Sequence, residues 1–463
     1  MNDDTETAVD TAHAPPSEDA AFLASVIGAA GDHDGPLLRR LLSELAPPDL
    51  ADVIEHVPLE TALTIARLVG RHLPPEFLAD LSWERREEVL PELPPDYVGK
   101  ALGLLDTDDA AAVAADIDEE QLDAVLAAAD EDTRLVVEEA LSFEEETAGR
   151  LMQREFVAAP EGANVGNVID RLRAEAAELP DEFFEIYIVD AAMRPIGAVR
   201  VSSLLRSRRE TPLLDIMRAP LILIRPEMDQ EEVAQTFQKY HMASAPVVDE
   251  AGRITGMVTV DDIVDVISEE SEEDLLKLAG VSDAAQTDTV WRSVQARAPW
   301  LLVNLGTAVV ASWVISRFQE SIAALVALAI LMPIVASLGG NAATQALAVA
   351  VRAIAARDLT ESSAPRYILR ETLTATANGV IFAFVLAGVV AFWFNNAMLA
   401  LAIGLAILIT FACAGLAGIL VPLTLRRFGA DPAVSSSVFV TFVTDLVGFL
   451  AFLGLATVIL LGG

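Results

Sequence analysis

A carboxylate stands in the middle of the apolar run VFVTFVTDLVGFLAFLGLATVILL, residues 438–461. Placing Asp445 at mid-span costs roughly 2.5–3.5 kcal/mol on insertion scales, so such groups face a bundle interior or water and mark ion or proton paths. Ser437, Thr441, Thr444, Asp445 and Gly448 recur at i, i+4, i+7, i+8 and i+11, which is one face of a helix. A second polar stripe runs through MPIVASLGGNAATQALAVAVR, residues 332–352. There Pro333, Ser337, Gly340, Asn341, Thr344, Gln345, Ala348 and Arg352 share one side. Pro333 frees the carbonyl of Ala329 and can break the helix, while Gly339 and Gly340 permit close approach or local unwinding. Small and amide residues also serve as plain helix packing. The pairing of two stripes favours a hydrophilic path, with Asp445, Asn341, Thr441, Ser437 and Gln345 as its candidate ion-binding residues.

One acid among neutral oxygens suits a cation. The stripes lack the His and Cys ligands of softer metals, and the chain's single cysteine, Cys413, lies on another span. A hard cation fits better. Mg²⁺ dehydrates reluctantly and keeps several waters when bound, so one carboxylate with hydroxyl and amide groups could hold it largely hydrated. Composition does not separate Mg²⁺ from Ca²⁺, Mn²⁺ or H⁺. A twofold dimer would set two Asp445 carboxylates across an axis.

The elements that must position these groups follow from charge and hydropathy. The chain has 463 residues, is 53% hydrophobic, and carries a net charge of −38. Residues 298–463 hold seven Arg, no Lys and six acids, a net of +1; the first 297 residues hold 24 basic and 63 acidic residues, a net of −39. An acidic soluble half is therefore joined to a nearly neutral apolar half. Such acidity argues against a nucleic-acid partner. With only Lys100, Lys239 and Lys277, it suits either a salty cytoplasm or a GC-rich genome.

The apolar half divides near 298–318, 322–350, 373–394, 398–425 and 435–461, five runs of about the 20 residues that a span needs. Arg352, Arg357, Arg366, Arg370, Arg426 and Arg427 flank one side and Arg317 the other. The positive-inside rule then puts the 2–3 and 4–5 connections and the N-terminus in the cytoplasm, with the C-terminus outside. The expectation is an integral protein of the cell (inner) membrane, in contact with lipid. No signal peptide is visible, and residues 1–35 read as a disordered acidic tail.

Residues 36–150 read as short helices opened by Pro or Asp, as in PPDLADVIEHV, PPEFLADL, PPDYVGKALGLL, DTDDAAAVAADI and DEEQLDAVLAAA. Each is too short to stand alone, so they must stack into a superhelix. Residues 151–268 contain a repeat: LMQREFVAAPEGANVGNVIDRLR with IYIVDAAMRPIGAVRVSSLL, then IMRAPLILIRPEMDQEEVAQTFQKY with APVVDEAGRITGMVTVDDIVDVI. A duplicated mix of strands and helices predicts a pseudo-twofold pair. The pattern resembles a tandem CBS module, a regulatory domain that often binds adenine nucleotides, so ATP is a possible ligand. Residues 269–297 open with EESEEDLLKLAGV, an acidic amphipathic helix leading into the first span.

The order of parts resembles the MgtE family of magnesium channels and transporters from about residue 36 onward. The most specific words are PIVASLGGNAATQ with VRAIAARDL, DPAVSSS with TFVTDLVGF, and VDDIVDVISEESEEDLLKL. The implied fold is multidomain: an all-α superhelical N-domain, an α/β tandem CBS module, an acidic connecting (plug) helix and a five-helix α transmembrane domain. The resemblance implies a homodimeric Mg²⁺-selective channel, with Asp445 as pore carboxylate and Asn341 as the amide of the G-G-N motif. It further implies regulatory Mg²⁺ ions that hold the gate shut, at positions that fall on Asp229, Glu231, Asp262, Asp265, Glu270, Glu273 and Asp274. His241 and Lys100 stand where acids are expected in the family, Ala342 and Ala343 follow the G-G-N where polar residues are common, and Ser437 replaces an amide.

The alternatives are a broader divalent pathway, for example for cobalt, and a non-conducting membrane-anchored Mg²⁺ or nucleotide sensor. An enzyme is not expected. The chain has no P-loop lysine motif, and its five His residues (13, 33, 56, 72 and 241) lack metal-ligand spacing.

Overall fold

The computed structural model describes residues 16, 17, 19–176, 179, 180, 183–278, 290–355, 359, 363–428 and 432–462. Residues 1–15 of the expected tail, and residues 279–289 of the connecting segment, lie outside them. The chain divides into two compact units, residues 1–268 and 269–463.

The first unit begins with ten helices: α1 (Ala20–Gly31), α2 (Gly35–Leu42), α3 (Pro47–His56), α4 (Leu59–Val69), α5 (Phe77–Asp80), α6 (Trp83–Val89), α7 (Pro95–Leu102), α8 (Thr107–Ala115), α9 (Glu119–Ala128) and α10 (Glu131–Leu141). They share a core that includes Leu38, Leu50, Ile54, Ile65, Leu78 and Leu102. Proline opens α3 and α7 at their first helical positions. Helix α1 falls within the stretch expected to be a tail. Asp19 caps it by accepting from the Ala21 and Phe22 amides, and Val26, Ala29 and Ala30 enter the shared core. The PPEFLADL segment gives only four helical residues, because the chain extends at Leu81 so that Ser82 can cap α6.

Two α/β repeats follow. The first comprises β1 (Ala158–Pro160), α11 (Val165–Ala174), β2 (Glu185–Val189), β3 (Pro195–Arg200) and α12 (Val201–Arg206). The second comprises α13 (Gln230–Tyr240), β4 (Ser244–Val248), β5 (Ile254–Thr259) and α14 (Val260–Leu278). Strand β1 runs parallel to β2, which pairs antiparallel with β3. In the second repeat β4 and β5 pair antiparallel, and a parallel bridge from Ile224 to Val247 stands where β1 stands in the first. The repeats exchange segments reciprocally. Gln153 pairs with Met257 on β5, and Arg218 pairs with Ala198 on β3. This exchange matches the expected pseudo-twofold pair.

The second unit holds α15 (Val290–Ser316), the short α16 (Gln319–Ala324), α17 (Ala327–Ala355), α18 (Ala364–Phe394), α19 (Ala397–Arg427) and α20 (Pro432–Leu461). Five of these are long and apolar enough to cross a membrane. Helix α19 is the most enclosed and packs against α17, α18 and α20. Its small residues permit this: a Cβ at Gly418 would fall 2.5 Å from the Cβ of Ala346 on α17. The second span starts at Ala327 rather than near 322, because α16 occupies the preceding residues as a separate helix. Pro333 does not break α17. The helix continues through it, with the proline on an exposed face.

Candidate functional site

Helix α17 leaves Pro333, Ser337, Asn341, Thr344, Gln345, Ala348 and Arg352 exposed, while Leu331, Val335, Ala343 and Leu347 turn inward. The polar stripe expected from spacing is thus one continuous face of the single chain. Thr344 donates to the Gly340 carbonyl at 3.0 Å, so its hydroxyl proton is satisfied within the helix. Of the two glycines, Gly339 makes a close approach. A Cβ there would lie 2.6 Å from Thr410 Cγ2 on α19, whereas Gly340 faces open space. The helix does not unwind at either residue.

Helix α20 divides its expected stripe. Ser437, Thr441 and Asp445 are half-buried, whereas Thr444 and Gly448 are buried. Thr444 donates within its own helix, to the carbonyls of Val440 at 3.2 Å and Thr441 at 3.0 Å. A Cβ on Gly448 would lie 3.2 Å from Val335 Cγ1. Two of the five stripe residues therefore belong to the packing of α20 on α17 and α19. A helical residue sits about 100° from its neighbour, so Thr444 turns into the bundle beside an outward-facing Asp445.

The expected regulatory acids fall at the start of α13 and along α14. Asp229 caps α13, accepting from the Glu231 amide at 2.9 Å, and Glu231 accepts from Gln235 Nε2 at 3.0 Å. Asp262, Asp265, Glu270, Glu273 and Asp274 are spaced along α14. Glu273 pairs with Lys277 at 2.5 Å, and the side chain of Asp274 lies outside the described residues. Among the described residues, no three His, Cys, Asp or Glu side chains form a ready metal-ligand set.

Asp262 instead meets acids that the sequence reading missed. Its carboxyl lies beside that of Asp108 on α8 and accepts from Thr259 Oγ1 at 2.6 Å. Burial, then Asp262 and Asp109, push Asp108 well above the usual carboxylate range. Burial, followed by Asp262, raises Asp109 to about 7, and burial raises Asp262 to about 6. Partial burial and Asp265 raise Asp80. Asp108 Oδ1 is buried without a hydrogen-bond partner. A carboxylate oxygen in that position, facing a second carboxylate, suits a cation better than it suits either anion alone. Glu155 ties the same corner together, accepting from the Thr107 amide at 3.3 Å and from Thr107 Oγ1 at 2.7 Å at the start of α8. Helical periodicity held no signal for Asp108, because the positions i+4 and i+7 from it, Ala112 and Ala115, are exposed.

Residues 332–455 match the MgtE family, described as a divalent cation transporter. Residues 45–146 match the MgtE intracellular N domain, and residues 213–269 match the CBS domain. The magnesium transporter MgtE of Thermus thermophilus is 32% identical over 441 residues, 93% of this chain and 97% of the relative. That of Enterococcus faecalis is 33% identical over 321 residues, 69% and 71% of the two chains. Among solved structures, the cytosolic domain of the Mg²⁺ channel MgtE in complex with ATP aligns at 33% identity and a TM-score of 0.48. It covers 53% of this chain and 99% of that one.

Proposed function

The chain belongs to the MgtE family, and from that premise we propose that it carries Mg²⁺ across the cell membrane along the polar faces of α17 and α20. The observation that carries this reading is Asp445, half-buried and the one charged residue of α20, a helix that packs against α17, whose polar face is exposed. Lipid does not satisfy such a face. A second copy of the chain, set about a twofold axis, covers it and encloses a water-filled path between the two. Asn341, Gln345, Thr441 and Ser437 then offer neutral oxygens to the ion's water shell, and Asp445 supplies the negative charge. The six Arg residues at the 2–3 and 4–5 connections keep the acidic half in the cytoplasm. The family is one of transporters, and this reading requires no catalytic step.

The acidic half regulates conduction in the same reading. Asp108 and Asp262 hold their carboxyls side by side with Asp109 nearby, short of a complete ligand set, and Mg²⁺ held there largely through its own waters replaces the protons that the crowding would otherwise recruit. Glu270, Glu273 and Asp274 extend the acidic surface along α14. An ion that binds more tightly to the closed form favours closure by that difference in affinity. High cytosolic Mg²⁺ therefore shuts the path, and low Mg²⁺ releases it. ATP is the ligand that the CBS module type implies; calorimetry on the full chain showing no heat with ATP would remove it.

The deciding experiment is Mg²⁺ influx into liposomes holding the purified protein, wild type beside Asp445→Asn. Influx in the wild type that collapses in the variant supports the path. Equal influx in both would overturn it.

A further inference from the structure

Thr410 lies on neither polar face, yet it is wedged where α17, α19 and α20 meet, next to the candidate pore groups. Its side chain is fully buried. The hydroxyl donates to the Ala406 carbonyl, one turn back, at 2.8 Å, which fixes the rotamer and commits the methyl to the packing. Gly339 lies against that methyl, so that a Cβ there would fall 2.6 Å from Thr410 Cγ2 and 3.7 Å from Thr444 Cβ. Gly448 lies against the same side chain, and a Cβ there would fall 3.4 Å from Thr410 Oγ1 and 3.5 Å from Cγ2. Gly339 is two residues before Asn341. Thr444 directly precedes Asp445, and Gly448 is three residues beyond it. One buried side chain on α19 thus touches both path helices beside their amide and their carboxylate.

We infer that Thr410 is a positioning residue for the cation path: its methyl sets the separation of α17 from α20, and through it the preference for Mg²⁺ over a larger divalent ion. The inference rests on the path proposed above. A close-packed interior transmits the loss of a single methyl group to its neighbours. Selection between Mg²⁺ and Ca²⁺ depends on the size and rigidity of the oxygen frame. Helix α19 faces no ion in this reading, so Thr410 acts only through where it holds the other two helices.

The test measures the ratio of Mg²⁺ to Ca²⁺ influx in liposomes holding full-length protein. Wild type, Thr410→Ser, Thr410→Val and Gly448→Ala are compared, with Asp445→Asn as control. Serine keeps the hydroxyl and removes the methyl, and the ratio is expected to fall at least about threefold, equivalent to ~0.7 kcal/mol of differential binding. Valine keeps the wedge and is expected to hold the ratio near wild type. Gly448→Ala crowds Val335 Cγ1 at 3.2 Å and sets a new methyl against Thr410, and is expected to move the ratio with the total influx largely kept. If Thr410→Ser yields no folded protein, Gly448→Ala and Thr410→Val decide. An unchanged ratio in Thr410→Ser and Gly448→Ala, with only total influx or yield reduced, overturns the positioning role, as does a valine variant altered as much as serine. Equal influx in wild type and Asp445→Asn would instead overturn the path itself.

Discussion

Asp108 on α8 and Asp262 on α14 bring their carboxyls side by side, and Thr259 Oγ1 donates to Asp262 at 2.6 Å. Two carboxyls can bond to each other only by sharing a proton, and two carboxylates at that spacing need a cation between them. The contact ties the helical domain to the second α/β repeat. Its stability therefore depends on whatever supplies positive charge there, a proton or, as proposed, Mg²⁺.

Neutralising one member of the pair separates repulsion from ligation. In Mg²⁺-free buffer, Asp108→Asn removes a buried charge without changing shape. The thermal midpoint of the cytoplasmic half is expected to rise, by about 2–4 °C for each kcal/mol of repulsion relieved. The further rise on adding Mg²⁺ is expected to shrink. A lower midpoint with the Mg²⁺ response intact would show that the pair neither repels nor binds.

The pH dependence follows from the same carboxyls. Asp109 is raised to about 7 and Asp262 to about 6, against an ordinary value near 3.8. Between those values the folded form binds more protons than the unfolded chain. The stabilisation is full below about pH 4 and is lost as pH rises through 6 to 7. The carboxyls held low by hydrogen bonds, Asp130, Asp190 and Asp249, have the opposite sign but titrate below that window. Without Mg²⁺, the cytoplasmic half is expected to melt at a lower temperature at pH 8 than at pH 5.5, and Mg²⁺ is expected to narrow the difference. Melting curves that coincide at the two pH values would discount the cluster.

The sequence carried the parts whose signals are local. Five apolar runs, a duplicated α/β pattern and prolines at helix starts are each legible within a short window. The α17 stripe was legible too, because a helix that crosses lipid makes a polar face conspicuous. What could not be read was which flank of a stripe packs inward. Thr444 and Asp445 are neighbours in sequence, and only the position of α19 turns one in and leaves the other out. Asp80, Asp108 and Asp109 escaped for the same reason. They matter because the second repeat brings Asp262 and Asp265 to them, and no short window contains both sides. Helix α1 escaped because its alanines and glycines give a weak periodic signal, although the buried Val26 anchors it.

Arg86 is a buried cation beside the acidic corner. Its Nε donates to Asp116 Oδ2 at 2.6 Å, and its Nη1 donates to the Leu78 and Ala79 carbonyls at 3.3 and 3.5 Å. Those carbonyls precede Asp80. Arg86→Met leaves Asp116 and two carbonyls without their partner. It is expected to destabilise the helical domain by about 3 kcal/mol, the low end for a broken buried pair because Asp116 keeps some contact with water. Denaturant unfolding checks this, and an unchanged midpoint would mean that the pair is energetically neutral.

The acidic run on α14 supplies the last test, which separates conduction from control. Glu270, Glu273 and Asp274 lie within five residues of one helix, and Lys277 offsets only part of their charge by pairing with Glu273. None of them lies on α17 or α20. Substituting all three with their amides preserves side-chain size and good helix formers at the two glutamate positions, so α14 is expected to persist. Mg²⁺ influx at low internal Mg²⁺ should then match wild type, while the internal Mg²⁺ concentration needed to halve influx should rise several-fold. If these carboxylates hold the regulatory ion, as proposed, each one lost weakens divalent binding to the closed form, and the coupling falls with it. Inhibition by internal Mg²⁺ that is unchanged in the triple variant would remove this stretch of α14 from the regulatory surface and leave the Asp108–Asp262 corner to carry it.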